Sequence, residues 1–216
     1  MLTLLVCNSA GAFKLPDTGQ TKCYQAVEPW AEIPCEGTGQ DGAYTINPMS
    51  FTDNGNDTVT DNNTGLMWQK QDDGNTYNWF QASGTYEATY NPSSQDVCGS
   101  LILGGYSDWR LPTKKELMSI VNYDIPYPGP TIDTTYFPST KSTDYWSSTT
   151  YNSYPSLSWV VAFSYSAVGN DYRNEGDYVR CVRGGQYPTQ SLVDNGNGTV
   201  TDNATSLTWQ QARQYI

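Results

Sequence analysis

The sequence contains no histidine among its 216 residues. Histidine is the commonest general base and a frequent zinc ligand, so its absence excludes Ser-His-Asp, Cys-His and histidine-metal chemistry. Catalysis by carboxylates, tyrosine, lysine or cysteine remains open. The composition nevertheless favours a binding protein over an enzyme, and we expect no catalytic residues.

Cationic residues are also scarce. The chain has 11 Lys and Arg residues against 22 Asp and Glu, and a formal net charge of -11. Nucleic acids, anionic lipids and sulfated glycans are bound through clustered cations, so none of them is expected as a general electrostatic partner. No segment approaches the ~20 consecutive apolar residues of a membrane span. We therefore expect no nucleic acid and no membrane insertion.

The abundant residues are aromatic and small polar ones, including 17 Tyr, 7 Trp and 19 Gly. Such a mixture disfavours long helices and favours short strands, turns and recognition surfaces that hold water. The composition alone therefore points to a loop-rich protein.

The first residues carry a short apolar run followed by Ala10-Gly11-Ala12. Small residues in this arrangement are typical of a signal-peptide cleavage site, so residues 1–12 are interpreted as the remnant of a signal peptide. The alternative is a buried first strand. Val6 is a poor residue directly before a lipid-modified cysteine, which argues against lipidation at Cys7. The prediction is export from the cytoplasm, to a secreted or cell-surface location.

The cysteines fit an oxidising compartment. If Cys7 is removed with the signal peptide, four remain and three pairings are possible. Cys23 and Cys35 bracket a Pro- and Gly-rich stretch, which favours a local disulfide within an extended N-terminal segment, residues 13–50. Cys98 would then pair with Cys181. No CxxC spacing occurs, so metal binding or redox catalysis by these thiols is not expected.

Three helical segments and a sheet are expected in the middle and last thirds of the chain. Thr113 and Glu116 form a capping-box pattern that predicts a helix over 113–123. Further helical segments are expected around Trp79 and Ala82 and over 96–103. Three runs in the last third, 145–149, 158–163 and 178–183, alternate in polarity and are expected to pair in one antiparallel sheet.

One phrase occurs twice. Residues 53–69 read DNGNDTVTDNNTGLMWQ and residues 194–210 read DNGNGTVTDNATSLTWQ, an offset of 141 (194 minus 53). Asn-Gly turns between short strands predict a hairpin in each copy. Residues 186–216 are interpreted as a linker plus the start of a second, incomplete repeat. Weak calcium candidates in the first copy are Asp53, Asn56 and Asp61, but no bidentate Glu follows them, so a turn is favoured and no metal or other cofactor is expected.

Several phrases together resemble one family. DNGNDTVTDNNTGLMWQK, CGSLILGGYSDWRLPTKKELMSIV, YWSST, SWVVAF and YVRCVRGG follow the order found in the Lcl C-terminal domain family, also called DUF1566. The resemblance spans roughly residues 13–185 and implies a domain over 51–185. Its implied fold class is α+β: a C-type-lectin-like domain with two helices packed on small antiparallel sheets, rich in loops. Its implied function is bacterial adhesion, although this chain is too acidic for a sulfated ligand.

Tyr- and Asn-rich segments of the second half are the candidate ligand-binding site, because tyrosine offers rigid aromatic area and asparagine adaptable hydrogen bonds. The candidate residues are Tyr151, Asn152, Tyr154, Tyr165, Asn170, Tyr172, Arg173 and Asn174. Trp109 is expected in the core, with Arg110 paired to Glu116 or to an aspartate. Trp146 and Trp159 are expected in the core or on a sheet face.

Two functional hypotheses follow. The first is a non-catalytic recognition domain that binds a glycan or protein ligand at a cell surface. The alternative is a structural or assembly protein, whose C-terminal hairpin repeat pairs with a neighbouring protomer to form homo-oligomers or filaments. A third hypothesis, a hydrolase using carboxylates such as Asp171 and Glu175, has no support from their spacing.

Overall fold

Short β-strands dominate the part of the chain that the structure describes and form four small sheets there. The computed structural model describes residues 16–185 and 191–211. The predicted signal-peptide remnant, Cys7 and the predicted linker residues 186–190 lie outside this part of the chain. The strands are β1 (Cys23–Tyr24), β2 (Glu32–Ile33), β3 (Phe51–Asp53), β4 (Thr58–Asp61), β5 (Met67–Gln69), β6 (Thr76–Tyr77), β7 (Asp144–Thr150), β8 (Leu157–Ala162), β9 (Ala167–Tyr172), β10 (Asp177–Tyr178), β11 (Val182–Arg183), β12 (Leu192–Asp194), β13 (Thr199–Asp202) and β14 (Leu207–Gln210).

The largest sheet has five strands in the order β6-β10-β7-β8-β9. Strands β7, β8 and β9 form an antiparallel meander, and the ladder between β7 and β8 is irregular between Trp146 and Thr150. Strand β10 lies parallel to β7, with Tyr178 opposite Tyr145. This parallel pairing brings the start of β10 beside the start of β7.

A second sheet has four strands in the order β11-β5-β4-β3. It contains the hairpin predicted from the first copy of the repeated phrase. The side chain of Asn54 donates hydrogen bonds to the hydroxyls of Thr58 (2.9 Å) and Thr60 (3.0 Å), which closes the turn. Val182 of β11 pairs with Trp68 of β5 and covers the outer edge of the hairpin.

Two apolar clusters lie on opposite faces of the five-stranded sheet, because successive side chains of a strand point to opposite faces. Tyr145 and Val161 belong to the cluster shared with the four-stranded sheet and its Trp68. Trp146 and Val160 belong to the other cluster, which includes the disulfide between Cys98 and Cys181. Trp109 also lies in this second cluster and is 3% exposed, as predicted.

The predicted fold class is wrong. The described residues contain two α-helices, α1 (Trp79–Ser83) and α2 (Lys114–Met118), of five residues each, plus a 3-10 turn at Asp41–Ala43. Such short helices do not amount to the two packed helices of an α+β, C-type-lectin-like domain. The chain is instead mainly small β-sheets joined by loops.

Each helix ends after five residues, and the contacts after its last turn explain why. Gly84 terminates α1 with φ of 71°, and a Cβ there would lie 2.5 Å from a carboxylate oxygen of Asp96. The capping box of Thr113 and Glu116 at the start of α2 is present as predicted. Residues 119–123 do not continue the helix, because the amide of Asn122 donates to the carbonyl of Thr131 at 2.9 Å. The expected helix over 96–103 is replaced by turns.

The expected single antiparallel sheet is also incorrect in its last strand. Residues 178–183 divide between β10, which is parallel to β7, and β11, which joins the four-stranded sheet. The strand beside β8 is instead β9, which lies outside the three predicted runs. The parallel and split pairings depend on contacts distant in sequence, which alternation of polarity does not encode.

Both predicted disulfides are present, Cys23–Cys35 and Cys98–Cys181. They indicate that the chain folds in an oxidising environment. The first closes the small β1–β2 sheet, and the segment before it contacts the domain where Thr21 hydrogen-bonds to the carboxylate of Asp124. Within the described residues no helix has the length and apolar character needed to cross a bilayer.

Candidate functional site

Aromatic side chains gather at one end of the β8–β9 hairpin. Trp159 pairs with Asn170, and Leu157 pairs with Tyr172, so these four side chains share one face of the sheet. The ring of Tyr151 lies 4.9 Å from that of Trp159, and Tyr154 stacks on Tyr151 at 6.0 Å between centroids. The aromatic platform is defined as Tyr151, Tyr154, Trp159, Asn170 and Tyr172.

The platform is largely open to solvent. Tyr154 is 61% exposed and Tyr172 57% exposed, whereas Tyr151 and Trp159 are half-buried. The ammonium group of Lys114, at the start of α2, lies 3.8 Å from the centre of the Trp159 ring. A cation over an indole face restrains both groups, so Trp159 is a fixed base for the exposed tyrosines.

Backbone turns hold the tyrosines in place. The amide of Tyr154 donates to the carbonyl of Tyr151 (3.2 Å), and the amide of Leu157 donates to the carbonyl of Tyr154 (3.0 Å). These two consecutive turns return the chain from β7 to β8 within six residues. The Asn-, Ser- and Pro-rich sequence NSYPS between the strands suits such turns.

The structure brings some predicted site residues together and separates others. Tyr165 is 60% exposed but lies in the turn at the opposite end of the β8–β9 hairpin, away from the platform. Arg173 is anchored, because its Nε donates to the hydroxyl of Ser158 (2.9 Å) and its guanidinium lies 4.2 Å from the Trp79 ring centre. Asn152 and Asn174 are exposed beside the platform.

Trp159 of the platform, and Lys114 that stacks on it, were not among the predicted site residues. Trp159 was interpreted as a core or sheet-face residue, and the sequence carries no signal that Lys114 of a different element would stack on it. The contact arises because α2 packs on β7 and β8. The platform was therefore only partly predictable.

The weak calcium candidates of the first hairpin already have protein partners. Asp53 accepts a hydrogen bond from Lys70 at 2.6 Å, which holds the pKa of its carboxyl below the usual value. Asn56 accepts from the hydroxyl of Thr58 at 2.6 Å. Asp61 accepts from the hydroxyl of Thr64 at 2.6 Å. Burial raises the pKa of Asp61 although this hydrogen bond opposes the rise. All three contacts lie within residues 53–70 and belong to the hairpin and the residue that follows it.

The phrases that carry the family resemblance have structural roles. In DWRLPT, Arg110 forms an ion pair with Glu116 at 2.7 Å, one of the two partners predicted for it. In YVRCVRGG, the guanidinium of Arg180 is fully buried and donates to the carbonyl oxygens of Gln69 and Lys70. Arg110 therefore anchors the start of α2, and Arg180 ties the segment before β11 to the end of β5.

Comparison with known proteins identifies a family. No curated protein matches the chain significantly. The model of the Lcl C-terminal domain matches residues 57–183, which extend from the first hairpin through β11 and contain the aromatic platform. The match covers more than half of the chain, so the protein belongs to the Lcl C-terminal domain family.

Proposed function

We propose that this protein is a non-catalytic, extracellular recognition domain that binds a glycan or protein ligand at the aromatic platform. The observation that supports it most is the exposure of Tyr154 and Tyr172, each more than half exposed, around the restrained ring of Trp159. Large exposed aromatic groups held by rigid backbone turns bind with little loss of conformational entropy. This makes the platform the best candidate for a recognition surface.

The platform chemistry favours a neutral ligand. Its five residues carry no charge, and the nearby cation, Lys114, already lies over Trp159. Asn170 adds an amide that can donate and accept hydrogen bonds beside the aromatic faces. A sugar or peptide that offers an apolar face with neighbouring hydroxyl or amide groups matches this arrangement, whereas a sulfated chain would meet a protein with net charge -11.

Binding to glycan and protein arrays tests the site. Tyr154→Ala and Tyr172→Ala should each lower the affinity for the captured ligand at least tenfold, the loss typical of an important interface residue. Tyr165→Ala is the matched control, because Tyr165 is equally exposed but lies at the other end of the hairpin. Hits that survive both platform substitutions unchanged, or that depend equally on Tyr165, would remove the site assignment.

Export to a secreted or cell-surface location forms part of the same proposal. The two disulfides support it, because such bonds persist in oxidising compartments and are rare in the cytosol. Fractionation of the native producing cells checks it: the protein should be found outside the cytoplasm with both disulfides intact. Recovery of the reduced protein from the cytosol would contradict export.

A second candidate function is self-assembly, favoured by the second copy of the hairpin. Strands β12, β13 and β14 repeat the pairing of β3, β4 and β5, but Trp209 is 57% exposed where its counterpart Trp68 is fully buried. Strand β5 pairs with β11 on its outer edge, whereas no strand of the described chain pairs with the outer edge of β14. We propose that a strand from a second copy of this chain occupies this edge.

Measurement of the molar mass by light scattering separates the two functions. Assembly through β14 predicts concentration-dependent oligomers that are lost in a Leu207→Ser, Trp209→Ser variant. Both side chains are exposed, so the domain should still melt at its original temperature. Identical monomers for the two proteins at all concentrations would remove the assembly hypothesis and leave the recognition hypothesis untouched.

A further inference from the structure

Three carboxylates from three separate strands converge on one face of the five-stranded sheet. Asp144 begins β7, Asp171 is next to last in β9, and Asp177 begins β10. An oxygen of each lies within 4.8 Å of an oxygen of each of the others. Residues two apart in a strand share a face, so Asp144 lies on the face of Trp146. Asp171 pairs with Ser158, which lies on the face of Val160. The carboxylates therefore lie on the same face of the sheet as the second apolar cluster.

The cluster has no compensating cation in the described part of the chain. All five ion pairs found there involve other acidic residues. Glu175 lies close enough for its charge to act on Asp177, so it adds to the negative potential. Carboxylates held this close without a cation repel one another, and the fold gains nothing visible from their convergence.

Asp177 supplies an independent indication of a ligand. Its side chain is 9% exposed, and its Oδ2 is buried without a hydrogen-bond partner among the described residues. A buried polar atom without a partner is costly and rare, and one explanation is an ion. Burial, with the charges of Asp171 and Asp144, raises the pKa of Asp177 to about 7. Burial and Asp171 also raise the pKa of Asp144.

We propose that Asp144, Asp171 and Asp177 bind one divalent cation of the calcium type. Calcium takes hard oxygen ligands at about 2.3–2.6 Å, so two oxygens on opposite sides of one ion are separated by at most about 5 Å. The separations within the cluster meet this limit. Magnesium, in contrast, keeps several of its waters and demands near-octahedral geometry, which a largely buried ligand such as Asp177 opposes.

The ion would brace the segment that carries part of the aromatic platform. Asp171 directly precedes Tyr172, and alternation places their side chains on opposite faces of β9. Binding would therefore fix the end of β9 and the start of β10, and with them the connection over 173–176, without touching a ligand on the platform. The inference does not depend on the proposed recognition function.

Calorimetric titration of the full, disulfide-bonded chain with CaCl2 after treatment with EDTA tests this inference. We expect one equivalent to bind with a Kd of about 0.1–1 mM, the range of extracellular calcium modules, and MgCl2 to bind more weakly. Asp171→Asn and Asp177→Asn should each weaken binding at least tenfold. Asp53→Asn is the control: it removes an acid that pairs with Lys70 outside the cluster, and it should leave calcium binding unchanged.

Thermal melts distinguish loss of the site from loss of the fold. Calcium should raise the melting temperature of the unaltered chain. Asp177→Asn should melt higher than the unaltered chain in EDTA at neutral pH, because the buried carboxylate is no longer charged, and it should lose the response to calcium. Three results would overturn the proposal. They are a lack of saturable calcium binding even at calcium concentrations well above about 1 mM, calcium binding that survives both cluster substitutions, and magnesium binding as tight as that of calcium.

Discussion

The guanidinium of Arg110 donates two parallel hydrogen bonds, of 2.8 and 2.7 Å, to the carboxylate of Glu116. The side chain of Glu116 is fully buried and also accepts from the amide of Thr113, so it both caps α2 and holds the strand-like segment before the helix. Burial alone would raise the pKa of Glu116, but the bonds from Arg110 and Thr113 outweigh it and keep the pKa below its usual value.

Replacement of Arg110 by Met should destabilise the domain by about 3 to 5 kcal/mol, because it leaves a buried carboxylate without its partner. The measurement is urea unfolding followed by tryptophan fluorescence at neutral pH. Arg183→Met is the matched control, since Arg183 pairs with the mainly exposed carboxylate of Asp108, and such pairs contribute at most about 1 kcal/mol. Equal losses for the two variants would contradict the buried role of Glu116.

Asp177 should make the calcium-free protein less stable as the pH rises. A carboxyl whose pKa is raised on folding, here from 3.8 to about 7, stabilises the fold when it is protonated. Its contribution is fully present below about pH 4 and is lost as the pH rises to about 7. One pKa unit corresponds to about 1.4 kcal/mol, so the loss amounts to a few kcal/mol at most.

Urea unfolding of the unaltered chain and of Asp177→Asn in EDTA, from pH 4 to 8, measures this loss. The asparagine variant should not lose that stability, so the difference between the two proteins should grow with pH and level off above about pH 7. Carboxylates away from the cluster, such as Glu116, titrate alike in both proteins and cancel in the difference. Parallel profiles over the whole range would show that Asp177 titrates normally.

Local patterns of the sequence predicted the local features of the fold. Asn54 and its hydroxyl partners close the first hairpin as the turn residues indicated, and the pattern of Thr113 and Glu116 marked the start of α2. The expected helix length was wrong, because the amides of Asn122 and Tyr123 donate to the carbonyls of residues distant in sequence, Thr131 and Thr18. Helical periodicity indicates which face of a helix is apolar, but it does not indicate such competing hydrogen bonds.

Candidate sites were predictable only where neighbouring residues formed them. The tyrosines at 151 and 154 stack on each other, as a shared loop would suggest. Tyr165 lies apart from these tyrosines because it is in the turn at the other end of the β8–β9 hairpin. Residue type alone does not show at which end of a hairpin a residue lies. The acidic cluster could not be foreseen, because it depends on the parallel pairing that sets Asp177 beside Asp144.

The two disulfides should differ in their effect on domain stability. The Cys98–Cys181 bond spans 83 residues within an apolar cluster, and the loop-entropy model assigns such a bond about 4 to 5 kcal/mol. The Cys23–Cys35 bond spans 12 residues and lies outside both clusters. Replacing Cys98 and Cys181 by Ala should cause most of that loss in guanidinium unfolding.

Replacing Cys23 and Cys35 by Ala is the control for that measurement, and it should change the unfolding free energy of the domain by no more than about 0.5 kcal/mol. The local bond constrains the N-terminal segment, whose contacts with the domain include the hydrogen bonds from Thr21 to Asp124. A large loss from the local pair would show that this segment folds together with the domain.

Trp68 and Trp209 occupy the same position in the two copies of the hairpin, and their substitution should have unequal effects. Trp68 is fully buried between the two sheets, so Trp68→Ala should cost about 3 to 5 kcal/mol in urea unfolding. Trp209 is 57% exposed, so Trp209→Ala should leave the unfolding of the domain within about 0.5 kcal/mol of the original. Iodide should quench Trp209 and leave Trp68 protected. A comparable loss of stability from both substitutions would mean that the second hairpin packs against a core as the first one does. If Trp209 becomes protected from iodide only at high protein concentration, another copy of the chain supplies that core.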